Sequence, residues 1–176
     1  MNQPKTILLL TLLWILSSGF VPGGSYPDNT DDVLFKIARS RDANEIWYRP
    51  NFNSNGLLDS SVPINAFWVK KTEANLTEPL TWIQNRYAYG IKLIKTDKNE
   101  NVYYFRFVSY EKQIFELRKT GNGYKAYTTI NNKKIKLEKI FVQIDGGSFW
   151  FPKVPFVKIT GTEIKSGHKI IKKILP

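Results

Sequence analysis

"NVYYFRFVSYEKQIFELRKTGNGYKAYTTINNKKIKLEKIFVQI" spans residues 101 to 144. In its first ten residues Tyr103, Phe105 and Phe107 share one face, and Tyr104, Arg106 and Val108 share the other. That period of two predicts a strand with one buried side. "QIFELRK" follows a tight corner at Glu111-Lys112 and predicts a second strand. "TGNGY" and the Asn131-Asn132 pair are hairpin signals, because Asn and Gly tolerate the left-handed backbone that short turns need. "GYKAYTTI" and "KKIKLEKIFVQI" flank the second turn. In the latter, Ile135 and Leu137 have one parity, while Ile140, Val142 and Ile144 have the other. A bulge or bend near Glu138-Lys139 reconciles them. The stretch is therefore an antiparallel meander.

The flanking sequence extends the pattern in both directions. "NEIWYRPN" and "PINAFWVKK" predict strands, with Pro50 marking an edge or an end. "KVPFVKIT" is a late strand that Pro155 assigns to a sheet edge. "KIIKKIL" fits a short amphipathic helix or a β-branched strand. "LTEPLTWIQNRYAYG" reads differently. Leu80, Ile83 and Tyr87 have helical spacing, Thr77 can cap the start, and Gly90 is a natural stop. The fold class expected is mainly β. About nine strands form an antiparallel meander that curls into a barrel (lipocalin- or calycin-like forms included) or folds into a sandwich, with one short helix around residues 78–88.

The chain has 176 residues, 42% of them hydrophobic and 14% aromatic. One domain, residues 33–176, can build its core without staples. There is no Cys and only one His, His168. That excludes a disulfide, thiol chemistry and a Cys/His zinc site. With no Gly-rich phosphate loop either, neither a cofactor nor a metal is expected. Residues 1–25 predict a signal peptide: Lys5, then the apolar run "TILLLTLLWILSSGF", then small, helix-breaking residues. The run is shorter than the roughly 20 residues of a spanning helix. Export to a periplasm or the exterior is the expectation, with an uncleaved membrane anchor as the alternative. "YPDNTDD", 26–32, reads as a linker.

The formal charge is +11, and loss of residues 1–25 removes only Lys5. Such a field favours anionic partners. For an exported protein these are a lipid, lipopolysaccharide or an acidic glycan; nucleic acid is not expected. The competing reading is a set of scattered, solvated lysines that keep the protein soluble.

Six residues are candidate ligand contacts. Arg41 and Asn44 lie in "SRDAN", where a charged and amide cluster precedes an apolar strand. The guanidinium fork of Arg41 suits a carboxylate or phosphate, although spacing alone favours an Arg-Asp surface pair with an Asx turn leading into the strand. Trp68, Gln84 and Tyr89 could line a cavity or stack on a sugar. Phe67 and Trp68 point to opposite faces of one strand, so one of them leaves the core or meets the helix. Phe67 and Trp82 are expected in the core. Arg106 is an internal anion contact if a barrel lumen exists, or else pairs with an acid such as Glu116. Asp42 and Glu45 are the carboxylates that a hydrolase would use.

The segments "LFKIARSRDANEIWYRPN", "PINAFWVKK", "LTWIQNRYAYG", "YKAYTTINNKKIKLEKIFVQI" and "PKVPFVKITGTEIKSGHKIIKKILP" resemble domain-of-unknown-function family 4833, over about Val33 to Pro176. The family pattern has an acid where Ala38 stands, and a Glu where Lys172 or Lys173 stands. The resemblance implies a domain boundary and no activity, cofactor or catalytic residue. Three functions follow for test: a non-catalytic binding module for an amphiphilic or anionic envelope ligand, a carboxylate hydrolase of an envelope polymer, and a structural interaction domain.

Overall fold

The computed structural model describes residues 32–121, 123–148 and 152–175. The expected signal peptide, and all of the linker but Asp32, lie outside them. Among these residues eleven strands form one sheet. In chain order they are β1 (Phe35–Arg39), β2 (Asp42–Pro50), β3 (Ile64–Lys70), β4 (Leu76–Pro79), β5 (Ile91–Asp97), β6 (Val102–Phe107), β7 (Tyr110–Thr120), β8 (Gly123–Ile130), β9 (Lys133–Gln143), β10 (Phe156–Glu163) and β11 (Lys169–Ile174). Between β4 and β5 a helical turn α1 (Trp82–Gln84) continues as one π-helical turn, Asn85–Tyr89.

Nine strands follow one path, β4-β3-β2-β1-β9-β8-β7-β6-β5. The sheet curls along that path into a half-barrel. Strand β9 is its junction. Its first half pairs with β8, over Lys133–Lys136, and its second half with β1, over Lys139–Val142. The β1–β9 pair is parallel, an exception to the antiparallel expectation. The opposite edge of β9 carries β10, which in turn carries β11. The register with β10 shifts so that Thr160 faces Lys139 and Gly161 faces Leu137, skipping Glu138. This is the bulge that the parity change along β9 required. It lets Ile135, Leu137 and Ile140 all reach the core.

An aromatic layer fills the concave side. Phe35 stacks on Tyr48 at 4.4 Å and faces Phe105 at 6.4 Å. Phe107 meets Phe35 and Phe115 edge-on at 5.9 and 5.2 Å. These contacts bind the β1–β2 half to the β6–β7 half. Burying each ring contributes about 1.5–3 kcal/mol, and each well-oriented pair about 0.5–1.5 kcal/mol more. A smaller cluster of Trp47, Phe67 and Val69 sits on the convex side of β2 and β3.

Several local expectations are corrected. The helix starts at Trp82, not near 78, because Thr81 and Gln84 form a capping box, while Thr77 and Pro79 pair with Val69 and Phe67. Trp82 is exposed rather than packed in the core. The corner between β6 and β7 is Val108-Ser109, three residues before the expected Glu111-Lys112. Pro155 precedes β10, which is an interior strand between β9 and β11. "KIIKKI" is strand β11.

Gly161 is where β10 crosses the bulge most closely. A Cβ there would lie 2.2 Å from the Lys136 carbonyl oxygen, and a backbone atom in a ladder cannot step aside. Gly161→Ala should therefore destabilise the fold by about 2–3 kcal/mol. Gly121→Ala, with no atom within 4 Å of the added methyl, should be nearly neutral. Urea titration of both variants checks this, and equal midpoints would refute the close approach.

Candidate functional site

The β1–β2 turn builds the site. Residues 40 and 41 turn the chain, and Arg39 then pairs with Asp42. The register shifts between Ala38 and Arg39, so two extra residues of β2 are absorbed before Glu45 meets Ala38. Asp42 steadies this bulge by accepting the Asn44 backbone N–H at 2.9 Å. The shift brings Arg39, Asp42 and Asn44 to the rim of the half-barrel, beside Trp68 on β3 and Gln84 on α1.

Arg39 is the centre of the arrangement. Its Nη2 pairs with the Asp42 carboxylate, and its Nη1 donates to the Tyr89 hydroxyl at 2.9 Å. Its guanidinium lies over the Trp68 ring at 4.8 Å and near the Tyr89 ring at 5.9 Å. Trp68 meets Tyr89 edge-on at 5.8 Å. The Trp68 indole N–H donates to Gln84 Oε1 at 3.1 Å, and the same oxygen accepts the Thr81 N–H at 2.9 Å. The Gln84 side chain thus caps the helix and fixes the indole together. Beneath them the Tyr48 hydroxyl donates to the Tyr89 carbonyl at 2.8 Å. Burial, with Tyr89 beside it, pushes the Tyr48 phenol well above its ordinary value of 10.0, so it stays a donor.

A pocket of about 230 Å³ opens over these groups, with Lys70, Glu78, Pro79 and Thr81 completing its wall. Lys70 and Glu78 form an ion pair at 3.3 Å on its rim. The lining holds two cations and two carboxylates, so it is formally neutral. Arg39 Nε and Asn44 Oδ1 are both buried there without a hydrogen-bond partner. Buried polar groups almost always have one, and Thr77 Oγ1 and Arg106 Nε, outside the lining, lack one too.

Of the six candidate contacts, Asn44, Trp68 and Gln84 line this pocket, and Tyr89 packs behind it. Arg41 is exposed in the β1–β2 turn. Arg106 lies on the other face of β6 from Phe105 and Phe107, and bonds Glu111 at 3.1 Å. It is not a lumen contact, and its partner is not Glu116, which pairs with Arg118 and Lys134. Sequence reasoning missed Arg39. The usable signal was its parity, because Phe35, Ile37 and Arg39 form one alternating set, which puts the arginine on the core side. Among the described residues no group of acids and His could hold a metal ion.

Asp42 and Glu45 do not form a catalytic pair. Asp42 lines the pocket, whereas Glu45 lies on the opposite face of β2 and accepts from the Trp47 indole at 3.0 Å and Lys36 Nζ at 3.3 Å. Burial would raise the Glu45 carboxyl, but the indole bond together with Lys36 and Lys71 outweighs it and holds the group below its ordinary 4.5. A carboxyl lowered on folding adds stability that is complete above its unfolded value and is lost as pH falls through the folded one. Glu45→Gln should therefore melt at a lower temperature than the parent at pH 7, with the gap closing as pH drops below 4.5. Thermal melts from neutral to acidic pH check this; a gap that does not change with pH would refute it.

The model of a family described as Domain of unknown function (DUF4833) matches residues 35–173, which is β1 to nearly the end of β11. No curated protein and no solved structure matches the chain. The match covers ten strands in full, β11 to Lys173 and every residue of the pocket, and the chain belongs to the DUF4833 family.

Proposed function

We propose that the protein is a non-catalytic binding module, exported to the cell envelope, and that its pocket takes one sugar ring of an envelope glycan. The observation that carries this is the buried pair of unmet groups, Arg39 Nε and Asn44 Oδ1. A hydroxylated ligand supplies both roles, accepting from an N–H and donating to an amide oxygen. The neutral lining supports a hydroxylated ligand over a simple anion, because the charge of Arg39 is already engaged by Asp42. At about 230 Å³ the pocket is smaller than the roughly 300–1,000 Å³ of drug-sized sites, which suits a single ring. The ladder of Trp68, Gln84 and Tyr89 holds Arg39 in place before ligand arrives, and such preorganisation lowers the ordering cost of binding.

A hydrolase is the weaker reading. Asp42 and Glu78 both line the pocket, but each is ion-paired. Glycosidases keep one carboxyl in an apolar setting to serve as the acid. A lipid held inside a barrel is also weaker, since Phe35, Tyr48, Phe105 and Phe115 occupy the concave side.

An array of neutral and acidic oligosaccharides, followed by calorimetry on the strongest binder, tests the reading. Asn44→Ala should weaken binding about tenfold, the worth of one well-made hydrogen bond near 1.4 kcal/mol. Its melting temperature should hold or rise, because an unmet buried acceptor disappears. Arg41→Ala should change neither. Unaltered affinity in Asn44→Ala, or no saccharide bound at all, would sink the proposal.

A further inference from the structure

The convex face of β1, β9, β10 and β11 gathers lysines from distant parts of the chain. Lys36 on β1 lies directly opposite Lys139 on β9. Lys158 on β10 lies directly opposite Lys173 on β11. Lys136 and Lys169 flank Thr162 from the two sides. Residues opposite each other in a ladder share a face, with Cβ atoms about 4.5–5.5 Å apart, and like charges so placed are destabilising. Mixed signs would serve solubility equally well. Among the described residues this patch holds one acid on β9 to β11, Glu138, which accepts from Thr162 at 2.5 Å, while Glu45 serves Lys36 from β2.

Lysine on an edge strand commonly guards against sheet-to-sheet pairing. That explains Lys169 and Lys173 on β11. It does not explain Lys36, Lys136, Lys139 or Lys158, whose strands are interior. On the same outward side β11 presents Ile171, 62% exposed, between Lys169 and Lys173, and Leu175, 71% exposed, follows with the same parity. Lys173 Nζ and Lys158 Nζ also lie 4.2 and 5.3 Å from the Phe156 ring. Cations surrounding exposed aliphatic side chains match a surface where headgroup phosphates lie over acyl chains. A soluble polyanion would use the lysines and leave Ile171 and Leu175 in water.

We infer that this convex face is a docking surface for an anionic lipid bilayer. The lysines contact the headgroup phosphates, and Ile171 and Leu175 enter the interface. The inference uses the face opposite the pocket and does not depend on the saccharide reading.

Sedimentation of the full chain with vesicles of phosphatidylcholine alone, and of phosphatidylcholine mixed with phosphatidylglycerol, tests it. The apolar run at residues 6–20 is common to every variant, so the anionic increment is the quantity read. Each lysine near a charged surface is worth about 1 kcal/mol, so K158Q/K173Q should lower that increment about 30-fold. Its melting temperature should not fall, because a like-charge pair is removed. I171S/L175S should lower the increment as well. Equal partition of the parent onto both vesicle types would overturn the inference. So would retention by heparin that is sensitive to K158Q/K173Q but not to I171S/L175S, with no anionic increment, which would assign the face to a soluble polyanion.

Discussion

The rest of the molecule depends on the bulge at Glu138. A strand has two edges, yet β9 pairs with three partners. It can do so because β8 uses the first half of one edge and β1 the second half. The core also needs both halves of β9 to point apolar side chains the same way. A strand of strict period two would send Ile140 outward once Leu137 faced inward. The extra residue restores the direction. With it the first four strands and the four after the helix close on one aromatic layer; without it, Phe35 and Phe105 would not share a core. Gly161 is the complementary requirement on β10, since the partner strand must come close just where the ladder loses a residue.

A second bulge, between β1 and β2, shows how such irregularity serves a site. Strict pairing would put Asn44 into the ladder's regular alternation. The shift instead leaves Asp42 to pair with Arg39 and brings Asn44 to the same pocket. The arginine is then held on three sides, by a carboxylate, a hydroxyl and two rings. A buried guanidinium is costly unless it is paired, and here all but one of its nitrogens are engaged. The remaining one, Nε, is buried without a partner, as is the amide oxygen of Asn44. Leaving both unmet costs the fold stability.

The fold was largely legible because its signals are local. Alternation over 103–107, the Asn131-Asn132 turn and the parity change along β9 all report on nearest neighbours. The left-handed φ values of Asn131 and Asn132, 49° and 60°, are what a two-residue hairpin demands. The helix was placed too early because Thr77 and Thr81 are both plausible caps, and only the pairing of β4 with β3 decides between them. Trp82 was misplaced for a related reason. An aromatic residue suggests a core position, but here Leu80, before the helical turn, and Tyr89, at the end of the π-helical turn, are the residues that pack against the core. The site was half legible. Trp68, Gln84, Tyr89 and Asn44 could be named from chemistry, whereas Arg39 was hidden by its neighbour Arg41. Both arginines share the parity of Phe35 and Ile37, and what singles out Arg39 is that β1 ends there while Arg41 falls in the turn.

The lysines illustrate the limit most sharply. Along the chain they are dispersed, and dispersion reads as solubility. Pairing converts it into adjacency, because Lys36 and Lys139 are about a hundred residues apart yet directly opposed. The core fixes that register: Ile140 and Ile159 must both face inward, and they set Lys139 and Lys158 outward as a consequence. Which residue type then occupies an outward position is free to vary. Threonine or glutamate there would favour the ladder more. Repeated lysine, at interior as well as edge strands, is thus not explained by the ladder itself. The pocket, by contrast, is neutral and set into the rim near α1. One curled sheet thus carries two chemically distinct surfaces, and its single core determines where both of them face.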